Sequence, residues 1–185
     1  MKIVRRTLGP LLLAAVLAAC AATNQVGFTR PDVPPAPADR WTMRNNDGAG
    51  NPTLSTATIA WREAVVGSTA GMNLVADCRP GDLGRGIKLS LERDQLPRDA
   101  FRGEAINLSA VVRGRSSTIR RESIGTVPFE GFGVDQSGGY LFKPTDRLVR
   151  AMQRGSTITI SSPAFGDIRF SLNGASKALV ELGCV

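Results

Sequence analysis

The stretch Leu141–Val185 reads LFKPTDRLVRAMQRGSTITISSPAFGDIRFSLNGASKALVELGCV, and its changes of period decide the fold class. Thr145 can cap a helix, and Asp146 follows it in the first turn, where a negative charge meets the positive end of the helix dipole. Leu148, Val149 and Met152 form the apolar stripe of that helix, Arg150 and Arg154 lie toward its far end, and Gly155 stops it. The period then drops from 3.6 to 2. Ser156–Ser161 alternates as a strand, Pro163–Asp167 turns the chain, and Ile168, Phe170 and Leu172 share one face of the return strand. A second helix over about Ala175–Leu182 buries Ala178, Leu179 and Leu182, and Cys184 closes the segment.

Working back from this module, the sequence continues as strands and turns. Thr58–Val66 is rich in apolar and β-branched residues and ends at Gly67. Met72, Leu74, Ala76 and Cys78 share a face of the next strand. The glycines of Gly81–Gly86 mark a turn; without a following Gly-Lys-Ser/Thr they do not form a phosphate cradle. Ile87, Leu89 and Leu91 alternate with polar residues, and Ile106, Leu108, Ala110 and Val112 do so in Ala105–Val112. Within Thr118–Val127, Ile119, Arg121, Ser123, Gly125 and Val127 fall on one face, and a further strand ends at Phe142. No βαβ alternation occurs. The pattern predicts a mainly β domain over 58–185: an antiparallel β-sandwich of about seven to nine strands with two short helices in its C-terminal third.

The N-terminal part reads as delivery. Lys2, Arg5 and Arg6 precede the apolar run Leu11–Val16, which is too short to span a bilayer. Leu17-Ala18-Ala19-Cys20 resembles the bacterial lipobox, which implies a signal peptide over 1–19, removal of that peptide, and lipidation of Cys20. More than one acyl chain gives stable anchoring, and Ala21 after the cysteine points to the outer membrane, periplasmic face. Residues 20–57 read as the lipidated cysteine followed by a tether rich in Pro, Gly and Asn. Trp41 can dock back onto the domain, but a lone tryptophan in this stretch does not by itself extend it. With Cys20 lipidated, Cys78 and Cys184 remain as an even pair in an oxidising compartment, so a disulfide between them is expected.

Composition narrows the chemistry. The chain has no histidine, which removes Ser-His-Asp and Cys-His catalysis and histidine metal ligation. Lys88, Lys143 and Lys177 are the lysines of the mature chain, and none follows a serine at S-x-x-K spacing. Glu92 and Asp94 share a strand face but open onto a polar turn. No catalytic residue, metal ligand or cofactor is expected, and the low aromatic content, 5%, argues against nucleic-acid binding. Without the signal peptide the chain carries 20 basic and 16 acidic residues, a net of +4. Arg113, Arg115, Arg120 and Arg121 cluster near one hairpin and form a candidate anion-binding patch, since guanidinium matches carboxylate and phosphate.

The segment Ile168–Cys184, with a strand ending Phe-Ser-Leu, a glycine and a short Ala/Leu helix, resembles the C-terminal part of the invasion-associated locus B family. That resemblance implies an exported bacterial β-sandwich linked to envelope or host interaction, and it carries over no catalytic residue. The expected function is a lipid-anchored, non-enzymatic binding module whose partner is an envelope protein or an anionic envelope component. The alternatives are an accessory component of a secretion or envelope assembly and a periplasmic lysozyme inhibitor. The positive charge disfavours the second, because its target is basic.

Overall fold

The computed structural model describes residues 35–47, 53–54, 56–57, 59–79, 86–93, 105–114, 119–132 and 137–183. Cys20, Arg115, Asp94 and Cys184, the expected signal peptide over 1–19 and most of the expected tether over 20–57 lie outside these residues. The described residues fall in one compact unit, Pro31–Val185.

Strands β1 (Thr42–Asn46), β2 (Trp61–Gly67), β3 (Met72–Asp77), β4 (Lys88–Arg93), β7 (Phe129–Phe132) and β8 (Ser137–Phe142) build the first sheet, in the order β1-β2-β3-β4-β8-β7. Strands β5 (Ile106–Gly114), β6 (Ile119–Val127), β9 (Gly155–Ser162) and β10 (Gly166–Ser171) build the second, in the order β10-β9-β5-β6. All the pairings are antiparallel. The protein is mainly β, with two antiparallel sheets and two short helices, as the alternating sequence predicts.

The inward positions of both sheets close one core. Leu74, Leu89 and Leu91 from the first sheet join Val112, Ile158, Ile160 and Phe170 from the second, all almost fully buried. Helix α1 (Asp146–Arg154) adds Leu148, Val149 and Met152 to this core, and the Leu148 amide donates to the Thr145 hydroxyl at 3.1 Å, which is the cap expected from the sequence. Helix α2 (Ala175–Glu181) adds Ala175, Ala178 and Leu179.

Two sequence readings change. First, the domain begins well before residue 58. Trp41 is buried, its ring Nε1 donates to the Ser171 carbonyl at 2.9 Å, and its amide donates to the Asn173 carbonyl at 2.9 Å. Residues 42–46 then form β1 on the edge of the first sheet. The Gly67 amide donates to the Pro37 carbonyl, and a Cβ on Gly67 would sit 2.3 Å from the Ala36 carbonyl oxygen, so only glycine admits this segment. The stretch looked like tether because its apolar anchor is a single tryptophan, too little to raise a periodic signal. Second, β6 does not keep one face along its length. A bulge opposite Leu108 and Ser109 inserts Ile124, with Gly125 at φ 88° in the left-handed region. Arg121 and Ser123 therefore lie on the outer face while Val127 is buried.

Trp41→Ala is expected to lower unfolding free energy by about 3–5 kcal/mol, the range for removing a buried tryptophan. A chain starting at residue 58 is expected to lose its cooperative urea transition, whereas one starting at residue 31 keeps it. Equal stability of the two chains would show that Trp41 and β1 are dispensable.

Candidate functional site

Two polar surfaces stand out, one on each sheet, and they differ in whether their charges are already paired.

On the first sheet, Arg44, Glu63, Asp77 and Lys88 stand at one level on four successive strands. Arg44 pairs with Glu63, Asp77 pairs with Lys88, and Ala64 and Ala76, which adjoin Glu63 and Asp77, pair with each other. Arg44 donates to Glu63 Oε2 from Nη2 at 2.8 Å and from Nε at 3.0 Å, and its Nη2 also donates to Glu92 Oε2 at 3.0 Å. The Ser90 hydroxyl donates to Glu92 Oε1 at 2.8 Å, and the Trp61 ring Nε1 donates to Glu63 Oε1 at 3.3 Å. Arg79 lies 3.9 Å over the Trp61 ring, and its Nη2 is 2.9 Å from Asp77 Oδ2. Lys88 Nζ donates to the Arg79 carbonyl and lies 3.8 Å from Asp77 Oδ1.

Burial governs the electrostatics here. It pushes the Glu92 carboxyl above the usual carboxylate range; Glu63 adds to the rise, and Arg44 and Ser90 oppose it. Burial also works against the charge on Arg44, but Glu92 and Glu63 outweigh it and the guanidinium is held more firmly protonated than usual. Two close carboxylates, one with a raised pKa, are the pattern of a glycoside hydrolase. In this network, however, three cations face three anions, and Arg44 sits between Glu63 and Glu92. No unpaired charge is left to act on a substrate. The network ties β1, β2, β3 and β4 together across the sheet. Among the described residues, no group of three His, Cys, Asp or Glu could hold a metal ion.

The second sheet presents the opposite case. Its registers align three rows across the outer face of β10, β9, β5 and β6: Asp167–Ser161–Ser109–Ser123, then Arg169–Thr159–Val111–Arg121, then Ser171–Thr157–Arg113–Ile119. Arg113, Arg121 and Arg169 are exposed and make no ion pair or side-chain hydrogen bond among the described residues. Beside them, Asn107, Ser109, Ser123, Ser161 and Asp167 line an open concavity of about 360 Å³.

The structure thus divides the candidate patch. Arg113 and Arg121 share the outer face, while Arg120, next to Arg121 on a strand of period two, points to the other side, and Arg115 lies outside the described residues. Arg169, on β10, joins the face; sequence reading missed it because it is almost fifty residues from the hairpin. A second basic surface lies on α1, where Arg147, Arg150 and Arg154 recur at helical spacing opposite the buried stripe. Residues 105–171 hold nine basic and five acidic residues, an excess of four that is the whole excess of the chain from Cys20 onward. No known family model matches the chain, and comparison with curated proteins and with solved structures finds no match.

Arg44→Ala leaves Glu63 and Glu92 facing each other in a buried site, and is expected to cost about 3–5 kcal/mol at neutral pH. The raised pKa of Glu92 means that the folded state holds this proton more tightly than the unfolded state. Its contribution to stability is present in acid and is lost as pH rises through the raised value. Glu92→Gln is therefore expected to flatten that part of the stability profile, and to leave the protein at least as stable as wild type at neutral pH. Urea midpoints measured across a pH series check both variants.

Proposed function

We propose that the chain is a non-enzymatic binding module of the bacterial cell envelope, anchored by lipid at Cys20, which takes an anionic envelope component on the outer face of its second sheet. The observation that carries this reading is the exposed trio Arg113, Arg121 and Arg169, free of acidic partners among the described residues and set on a sheet whose opposite face is core. A guanidinium without a partner on a rigid strand is ready for a carboxylate or phosphate at no cost in breaking an existing pair. The neutralised network on the first sheet favours binding over catalysis, because every charged group in it is held by another.

The lipobox resemblance at Leu17–Cys20 supports the anchor and the outer-membrane location. Among the described residues, no helix is long and apolar enough to cross a membrane. A Cys78–Cys184 disulfide is supported by the position of Cys78, whose Sγ lies 3.3 Å from the carbonyl oxygen of Leu182, two residues before Cys184. Such a bridge would close a loop of about 106 residues and, in the chain-entropy model, stabilise by up to ~4–5 kcal/mol. The C-terminal resemblance to exported domains without catalytic residues agrees with the same reading.

Protein purified from membranes is expected to have a mass that starts at Cys20, carries acyl groups, and rises by two hydrogens on reduction. An unlipidated chain, or free thiols, would remove the anchor or the bridge. The variant R113E/R121E/R169E is expected to lose retention on isolated envelope fractions by about tenfold or more, as expected for charge-assisted contacts. Unchanged retention would sink the binding face.

A further inference from the structure

We propose that the second sheet's outer face binds an acidic glycan lying across the strands, with its hydroxyls on the serine row and its acid groups on Arg169 and Arg121. This inference rests on the anion-binding reading above and names the ligand class for the same face.

The geometry of the rows leads there. Asp167, Ser161, Ser109 and Ser123 stand side by side on four hydrogen-bonded strands, so their side chains repeat at about 4.8 Å. None of the four has a side-chain partner among the described residues. Three serine hydroxyls in line can each donate and accept, which is what a run of sugar hydroxyls requires and what a bare phosphate does not. Asn107 borders the same concavity; its Oδ1 already accepts from the Thr126 hydroxyl at 2.8 Å, which orients its amide NH2 as a donor.

The adjacent row sets the charge requirement. Arg169 and Arg121 stand at its two ends, on β10 and β6, three strand intervals apart, or about 14 Å. Between them lie Thr159 and the half-buried Val111, a hydroxyl and an apolar patch. The ligand that fits has acid groups separated by uncharged, hydroxylated units. Asp167 sharpens the choice, because its exposed carboxylate at one end of the serine row repels a ligand with a charge at every unit. The concavity is open, so a polymer can run through it without its ends being enclosed.

The test uses the chain from residue 20 with Cys20→Ser, which keeps every described residue and cannot be lipidated. Calorimetric titration compares a hyaluronan oligosaccharide, in which glucuronate alternates with uncharged N-acetylglucosamine, the same oligomer fully methyl-esterified, and inorganic polyphosphate. The hyaluronan oligosaccharide is expected to bind, and the ester and polyphosphate to bind at least about tenfold more weakly, because each lacks one half of the recognition. Both S109A/S123A/S161A and R121E/R169E are expected to lower hyaluronan affinity by about tenfold or more while thermal unfolding stays unchanged. The control R147E/R150E/R154E removes more charge from α1 and is expected to change it by about threefold or less, as screened long-range charge does.

Polyphosphate binding as tightly as the hyaluronan oligosaccharide, with the serine variant indistinguishable from wild type, would overturn the glycan inference and leave plain anion binding standing. Loss of affinity in the α1 variant equal to that in R121E/R169E would overturn the location. Binding of none of the three probes would overturn both this inference and the anion-binding reading beneath it.

Discussion

The position of Arg44 between Glu63 and Glu92 is the constraint from which the arrangement of charge follows. Both carboxylates are largely withdrawn from water on one face of the first sheet. Unpaired, they would repel each other in a medium that screens poorly, and one would have to take up a proton. A guanidinium can satisfy both because its planar fork offers donors in two directions. Lysine, with one compact charge, would not hold β1 against β2 and β4 at the same time. The same logic extends through Arg79, Trp61, Asp77 and Lys88, where each charge meets its opposite. This network on the first sheet is electrically closed. The positive excess falls on the second sheet and α1, whose strands and helix hold seven basic and three acidic residues.

The early start of the domain changes what an anchor at Cys20 can do. If the tether ran to residue 57, the domain could move freely above the membrane. Because Pro37 and Trp41 are already hydrogen-bonded into the fold, 16 residues lie between Cys20 and Pro37. Fully extended, that length spans at most ~60 Å. The entry point is also defined: the Ser171 hydroxyl donates to the Asp39 carbonyl at 2.7 Å, and the Leu172 amide donates to the Ser156 carbonyl at 2.9 Å. The chain therefore enters beside the row Ser171–Thr157–Arg113–Ile119, and the serine row lies at the other end of the same face.

The sequence revealed the elements well and their assembly less well. Period-two alternation found β3, β4, β5, β9 and β10, and the Thr145 cap with Leu148, Val149 and Met152 found α1, because each signal is local and repeated. The readings that changed depend on single residues or long-range register. Trp41 is one aromatic in a Pro- and Asn-rich stretch, and its partners lie 130 residues away in Ser171 and beyond. The Gly125 bulge reverses the facing of half a strand without disturbing its composition. Glu63 offered a usable clue, a carboxylate inside an otherwise apolar strand, which calls for a buried cation; the sequence did not say that the cation is Arg44.

The candidate site shows the same limit from the other side. Four arginines close in sequence suggested one patch, yet adjacent residues on a strand must face apart, so Arg120 and Arg121 could not both belong to it. Arg169 belongs because β9 lies between β10 and β5, a neighbour relation that only the sheet order supplies. A binding face on a β-sandwich is a property of rows across strands, and each row here draws its four residues from four separate segments of the chain. Arginine abundance alone, in a chain that uses arginine almost everywhere lysine could stand, does not mark a site. What marks one here is that Arg121 and Arg169 stand in the row beside hydroxyls that have no side-chain partner among the described residues, on a sheet whose other face is occupied by the core.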